Sequence, residues 1–280
     1  MTAFWDKFLS LDKRIIYVFM LLAMAIPLFL PFGLPISVSP LVQEVYDLID
    51  SLDEGALVFI APEINPQQEP EMAPMLRSLV RHLLQRKARI VFGGFIAQGT
   101  TLAQKYTQEV FDQFGAVYGV DYVNLGPRGY LDATLDSARF NFVGAFANRD
   151  INNTPLTDFP LMVDLHTASD FSLVIAMDVG EPSISNYIAA WRATGSVQRM
   201  IGVCTAANIP GQQVNYNSGL LVGLLGGMSA AAQYETVLGI PDSATRGIAA
   251  QGISHLVIVL FVVLGNIGHF AIKKNKSKEG

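Results

Sequence analysis

Two uncharged apolar runs stand near the ends of the chain, and the stretch between them alternates short apolar runs with amphipathic ones. Residues 15–34 follow Lys7, Lys13 and Arg14, while residues 253–272 run into Lys273, Lys274, Lys276 and Lys278. Each run is about 20 residues long, the length at which a helix crosses a ~30 Å hydrocarbon core. Because Lys and Arg are retained on the cytoplasmic side, the pattern predicts a two-pass cell-membrane protein with both termini cytoplasmic and an extracytoplasmic central domain. The expected division is 1–14 as a cytoplasmic N-terminus, 15–34 as the first transmembrane helix, 35–252 as the domain, 253–272 as the second transmembrane helix and 273–280 as a basic tail. A cleavable signal peptide competes for the first run, since Ala23-Met24-Ala25 has a small-x-small form; the apolar continuation through Leu30 favours a retained anchor.

Between the runs, Ser39-Pro40 reads as an N-cap followed by proline at the first helical position, opening a helix whose apolar residues 41, 45, 48, 49 and 52 share a face. Apolar strands are predicted over 56–61, 88–95, 120–126, 171–178 and 199–206, and helices over 70–87, 101–115 (closed by Gly115) and 184–194. Strands alternating with helices imply an α/β domain, doubly wound and Rossmann-like, with a mostly parallel sheet between the two transmembrane helices. Residues 127–165 carry Gly, Pro, Asn and short apolar pieces, and a lid, an insertion and edge strands are all open readings there.

Charge narrows the partners. The chain carries 19 basic and 24 acidic side chains; seven basic and three acidic ones lie in the two tails, which leaves the central stretch at net −9. Nucleic acid, whose binding rests on Lys and Arg neutralising phosphates, is an unsuitable partner. The single cysteine, Cys204, excludes an internal disulfide framework and CxxC chemistry, and it reads as a small core residue.

In an open parallel sheet, ligands bind beyond the carboxyl ends of the strands, where strand order reverses. The loops predicted there carry Glu63 and Asn65; Gly93, Gly94 and Gln98; Asn124 and Arg128; Asp178, Glu181, Ser183 and Ser185; and Thr205 and Asn208. Asp178 and Glu181, with His166, are the candidates for catalysis, while Asn65, Gln98, Arg128 and Asn208 are candidates to line a small-molecule pocket. The plainer reading, which the pattern favours, is that Asp178 ends its strand while Glu181 and Ser183 cap the following helix. No GxxxxGK[ST], GxGxxG or GxSxG stands after a strand, so no nucleotide, other cofactor or serine nucleophile is expected. Asp164-x-His166 with Asp170 lacks a convincing further ligand, so no metal is expected either.

The stretch 219–232 is rich in small residues. Read as a helix, it lines Gly219, Gly223 and Gly227 along one face, as in close helix–helix contacts; a Gly-rich loop or a helix tight against the sheet is the alternative. Asn266, within the second apolar run, suits an interhelical hydrogen bond. These features point to a structural or assembly subunit of a membrane complex. It would associate with itself and with other subunits, and meet the bilayer through both termini. A cell-envelope hydrolase or transferase, or a small-molecule sensor, is the alternative.

Overall fold

The computed structural model describes residues 2–29, 35–180 and 183–279. The chain divides into two compact units, Ile36–Ala244 on the one hand and Met1–Pro35 with Thr245–Gly280 on the other. The N-terminal part of the second unit contains α1 (Thr2–Leu9) and α2 (Lys13–Phe29).

The first unit opens with α3 (Pro40–Asp50), started by Ser39 and Pro40 as the sequence implies. Then follow β1 (Leu57–Glu63), α4 (Glu69–Gln85), β2 (Arg89–Gly94), α5 (Gly99–Phe114) and β3 (Tyr122–Pro127). Gly115 ends α5 in the left-handed conformation, φ 63°. After α6 (Leu131–Ala138) and α7 (Phe142–Ala145) come β4 (Leu173–Asp178), α8 (Ile184–Tyr187), β5 (Met200–Cys204), α9 (Ile209–Asn217), β6 (Gly223–Gly226) and α10 (Gly227–Val237). The helix predicted over 184–194 widens into a π-turn at Ile188–Arg192.

All six strands are parallel, in the order β3-β2-β1-β4-β5-β6. This is the order of doubly wound dinucleotide-binding folds, with its reversal between β1 and β4. Helices α4 and α5 pack on one face of the sheet. On the other face, Phe59 lies within 5.3–6.0 Å, between ring centroids, of Phe142, Phe146, Phe171 and Trp191. Residues 127–165 therefore supply core: Phe142, Phe146, Leu156, Leu161 and Leu165 are fully or almost fully buried against that face. It contains short helices, 3-10 turns and one isolated bridge, Arg149 to Pro155.

The helix expected over 219–232 is corrected. Gly219 sits in a turn at φ 74°, Gly223 on β6, and Gly227 at φ 70° where β6 passes directly into α10. The three glycines share no helix face. A Cβ on Gly223 would lie 2.4 Å from Val45 Cγ2, and one on Gly226 2.1 Å from Ile209 Cδ1. The close approach these residues permit is to α3 and α9 of the same chain.

In the second unit, α11 (Ser243–Glu279) contains the one segment among the described residues long and apolar enough to cross a membrane, Ser243–Lys273, whose most apolar 18-residue window has a mean hydropathy of 2.2. The expected N-terminal span is not supported among the described residues. α2 has 17 described residues, about 25 Å at 1.5 Å per residue, and residues 30–34 of the expected span lie outside the described residues. Within this unit the rings of Phe19 and Phe261 meet edge to face at 6.1 Å.

Candidate functional site at the carboxyl ends of the strands

Side chains alternate along a strand. Leu57, Phe59 and Ala61 enter the aromatic core, so the next member of the series, Glu63, faces the same side at the carboxyl end of β1. On β4 the same alternation follows Val174 and Ala176 with Asp178. Register pairs Glu63 with Asp178, and Asp178 with Cys204. A carboxylate, a second carboxylate and a thiol thus form one buried row across the point where strand order reverses, at 0%, 2% and 0% exposure.

Glu63 is enclosed by donors. Its carboxylate accepts the backbone N–H of Phe95 at 2.9 Å and of Ile96 at 2.8 Å, both in the β2–α5 loop, and the hydroxyl of Tyr187 donates to Oε1 from α8. Burial raises its pKa above the ordinary carboxylate value, the three donors work against that rise, and the Asp178 charge adds to it. Asp178 accepts N–H from Gly180 at 2.6 Å and Ile184 at 3.2 Å, plus the Gln212 amide at 3.3 Å. Glu71, on the first turn of α4, accepts the Ala206 N–H of the β5–α9 loop at 2.5 Å. In the β2–α5, β4–α8 and β5–α9 loops, then, backbone donors of the kind that would grip a phosphate are occupied by the chain's own carboxylates. Burial, followed by the charges of Asp178 and Glu71, pushes the Cys204 thiol up to about 12. A buried thiol raised in this way behaves as a small core residue rather than an activated nucleophile.

One strand further along, the rim is open. A cavity of about 480 Å³ lies between the loops after β4 and β5, lined by Asp178, Ser183, Ser185, Asn208 and Gln212, with Gly180 and Gly211 leaving space above them. A second cavity of about 430 Å³, bounded by Asp132, Asp136 and Arg139 of the α6 region and by the π-turn residues Ala189 and Ala190, shares Ser183 and Ser185 with it. π-turns recur where a helix is opened for function.

No family model, curated protein or solved structure matches this chain.

The geometry of the site separates the sequence candidates. Asp178 and Asn208 come together in the 480 Å³ cavity. Glu181 lies outside the described residues. His166 does not join Asp178: Asp164, two residues before it, pairs with Arg89 at the amino end of β2, 3.8 Å away, and Asp170 accepts the His166 backbone N–H at 2.8 Å. Arg128 is spent on structure, donating to the carbonyls of Pro127, Phe146 and Arg149, which clips the 127–150 stretch to β3. Gln98 stands before α5 and Asn65 before a 3-10 turn, neither capping with its side chain. Among the described residues no group of three His, Cys, Asp or Glu converges as metal ligands. Sequence reasoning placed Glu63 at a strand end without seeing that it seals the crevice, and it missed Tyr187 and Gln212 altogether. The available signal was an acidic residue ending a strand that is otherwise apolar, in phase with Phe59.

Proposed function

We propose that this chain is a membrane-anchored α/β subunit that serves assembly of a membrane complex, self-associated or joined to other subunits. Its α/β domain would be held extracytoplasmically by the apolar helices at its two ends. The observation that carries this reading is Glu63: the crevice where doubly wound folds take their ligand is filled by a hydrogen-bonded side chain of the chain itself. The basic residues that precede the first apolar run and follow the second, each in the sense of a cytoplasmic flank, support the two-pass arrangement. With the glycines committed to contacts inside the domain, self-association rests on the apolar surface of α2 and α11 and on Asn266, whose amide N–H returns to the Val262 carbonyl of its own helix at 2.8 Å. Gentle extraction followed by native mass measurement is the test: an oligomer or a retained partner is expected, and a bare monomer overturns the reading. Cysteines introduced at exposed Ser218 and at Ser277 should label from opposite sides of the membrane, Cys204 itself being buried.

A second reading, a polar-ligand sensor, is favoured by the open cavity at Asp178, Ser185 and Asn208. Hydroxylated or amide ligands at about 100 times their dissociation constant would then stabilise the domain by about 2.7 kcal/mol, read as a rise in Tm.

A further inference from the structure

The N-terminal helix α1 occupies a position that its sequence neighbours do not require. The α2 contact with α11 lies at Phe19 and Phe261. From Phe261 to Gly268 is about 10 Å along α11, and a straight continuation of α2 backwards over the same rise would bring residue 12, not α1, beside Gly268. Yet a Cβ on Gly268 would lie 2.8 Å from Trp5 Cε3 and 3.4 Å from Leu9 Cγ. α1 therefore turns across the line of α2. The break is built from short-range bonds: Ser10 Oγ donates to the Lys7 carbonyl at 3.1 Å, and Asp12 Oδ1 accepts the Arg14 N–H at 2.9 Å to open α2.

Gly268 precedes Lys273 by five residues, about 7.5 Å along the helix, so α1 crosses at the last apolar turn before the lysines. Trp5 and Leu9 seat on α11. Phe4 and Phe8, one turn apart on the adjoining face, stack at 6.3 Å, and Phe4 is 65% exposed. Phe4 and Phe8 each lie edge to face with Trp5, at 5.2 and 6.0 Å. An aromatic face at the depth where an apolar helix meets its lysines is the composition of a bilayer interface. The two tails together carry seven basic against three acidic residues, the sign that anionic headgroups attract.

We infer that α1 is an interfacial helix, lying in the headgroup layer on the lysine side of the bilayer and engaging anionic phospholipid. The inference rests on the membrane reading of α11 given above. The test is tryptophan quenching in the full chain, reconstituted into phosphatidylcholine vesicles with or without phosphatidylglycerol. The only other tryptophan, Trp191, is buried in the α/β core, so the difference between the native chain and Trp5→Phe isolates Trp5. Strong quenching of Trp5 by lipid brominated near the headgroup, and little by lipid brominated near the chain end, is expected. Brominated phosphatidylglycerol should quench about fivefold more effectively than the phosphatidylcholine analogue, as for one basic side chain near an anionic surface. Equal shallow and deep quenching, no quenching, or no preference between the headgroups overturns the inference. Val259→Trp in a Trp5→Phe background separates it from its premise: deep quenching there with none at Trp5 removes the interfacial helix alone, and no quenching at Val259→Trp removes the membrane reading.

Discussion

The crevice between β1 and β4 and the cavity between the loops after β4 and β5 are neighbours on one sheet edge, each floored by a buried carboxylate, yet one is sealed and the other open. Side-chain length accounts for much of this. Glu63, with two methylenes, reaches out of its own strand into the β2–α5 loop and draws that loop down by two N–H bonds, with Tyr187 closing from above. Asp178 is one methylene shorter and bonds chiefly the loop it begins, to Gly180 and Ile184. The β5–α9 loop is held instead by Glu71 from the far side, so the gap beside Asp178 stays open. The same fold position is thus closed by a carboxylate that bridges loops and left accessible by one that organises its own.

The largest effect should come from removing the bridge. Glu63→Ala leaves the Tyr187 hydroxyl and the Phe95 and Ile96 N–H groups buried without their acceptor. Each orphaned donor costs about 1–3 kcal/mol, offset in part by relief of the buried carboxylate. A loss of about 4 kcal/mol in unfolding free energy is expected by denaturant titration followed through the near-UV signal of Trp191. A loss below about 1 kcal/mol would show that the crevice is not held shut in this way. Next in size is Gly99→Ala on the sealed side. The new Cβ would lie 2.1 Å from the Pro62 carbonyl oxygen, so β1 and α5 must separate, and overpacking of this kind costs about 3 kcal/mol.

Much of the sealed half was legible in the sequence. Apolar runs bounded by Gly and Pro marked all five strands predicted, Pro40 and Gly115 marked helix ends, and the alternation implied a parallel sheet. What escaped was set by tertiary contact. β6 has the sequence Gly-Leu-Leu-Gly, too short and too glycine-rich to show a strand pattern, and its glycines answer to Val45, far away in the chain, and to Ile209 on the preceding helix. Likewise, the 142–171 aromatics are scattered among turns and converge only around Phe59. The candidate site was half visible: Asp178 and Asn208 were placed on the right rim, whereas Arg128 and His166 were separated from it by backbone hydrogen bonds and an ion pair that no local pattern announces.

Acid titration sharpens the comparison with a smaller effect. Glu63 holds its proton to higher pH folded than unfolded, because burial outweighs its hydrogen bonds. From pH 4.5 up to that raised value the folded state binds more protons, so unfolding free energy falls as pH rises, by about 1.4 kcal/mol for each pH unit over which only the folded state is protonated. His82 acts in the opposite sense: buried, with its pKa lowered from 6.5, it subtracts stability as pH falls below 6.5. Glu63→Gln should remove the first contribution and keep the second. The native chain therefore loses stability relative to Glu63→Gln as pH rises from 4.5, and a constant difference between the two proteins would contradict a buried, proton-holding Glu63.

On the open side the counterpart of Gly99 is Gly211, and here the smallest change is expected. Gly211 lies within α9, and a Cβ there meets nothing within 4 Å. Alanine gains helix propensity of up to about 1 kcal/mol over glycine and loses no contact, so Gly211→Ala should be neutral or slightly stabilising in the same titration. A clear loss would mean that the cavity rim is packed in solution and that the contrast with the crevice is false. Gly211→Trp extends the argument, since an indole would project into the cavity that Asp178, Ser185 and Asn208 line. If that variant folds with native stability and no longer responds to a polar ligand that raises the native Tm, the open half is a binding site. If the response survives unchanged, the ligand binds elsewhere, and the open rim reflects only the shorter reach of Asp178.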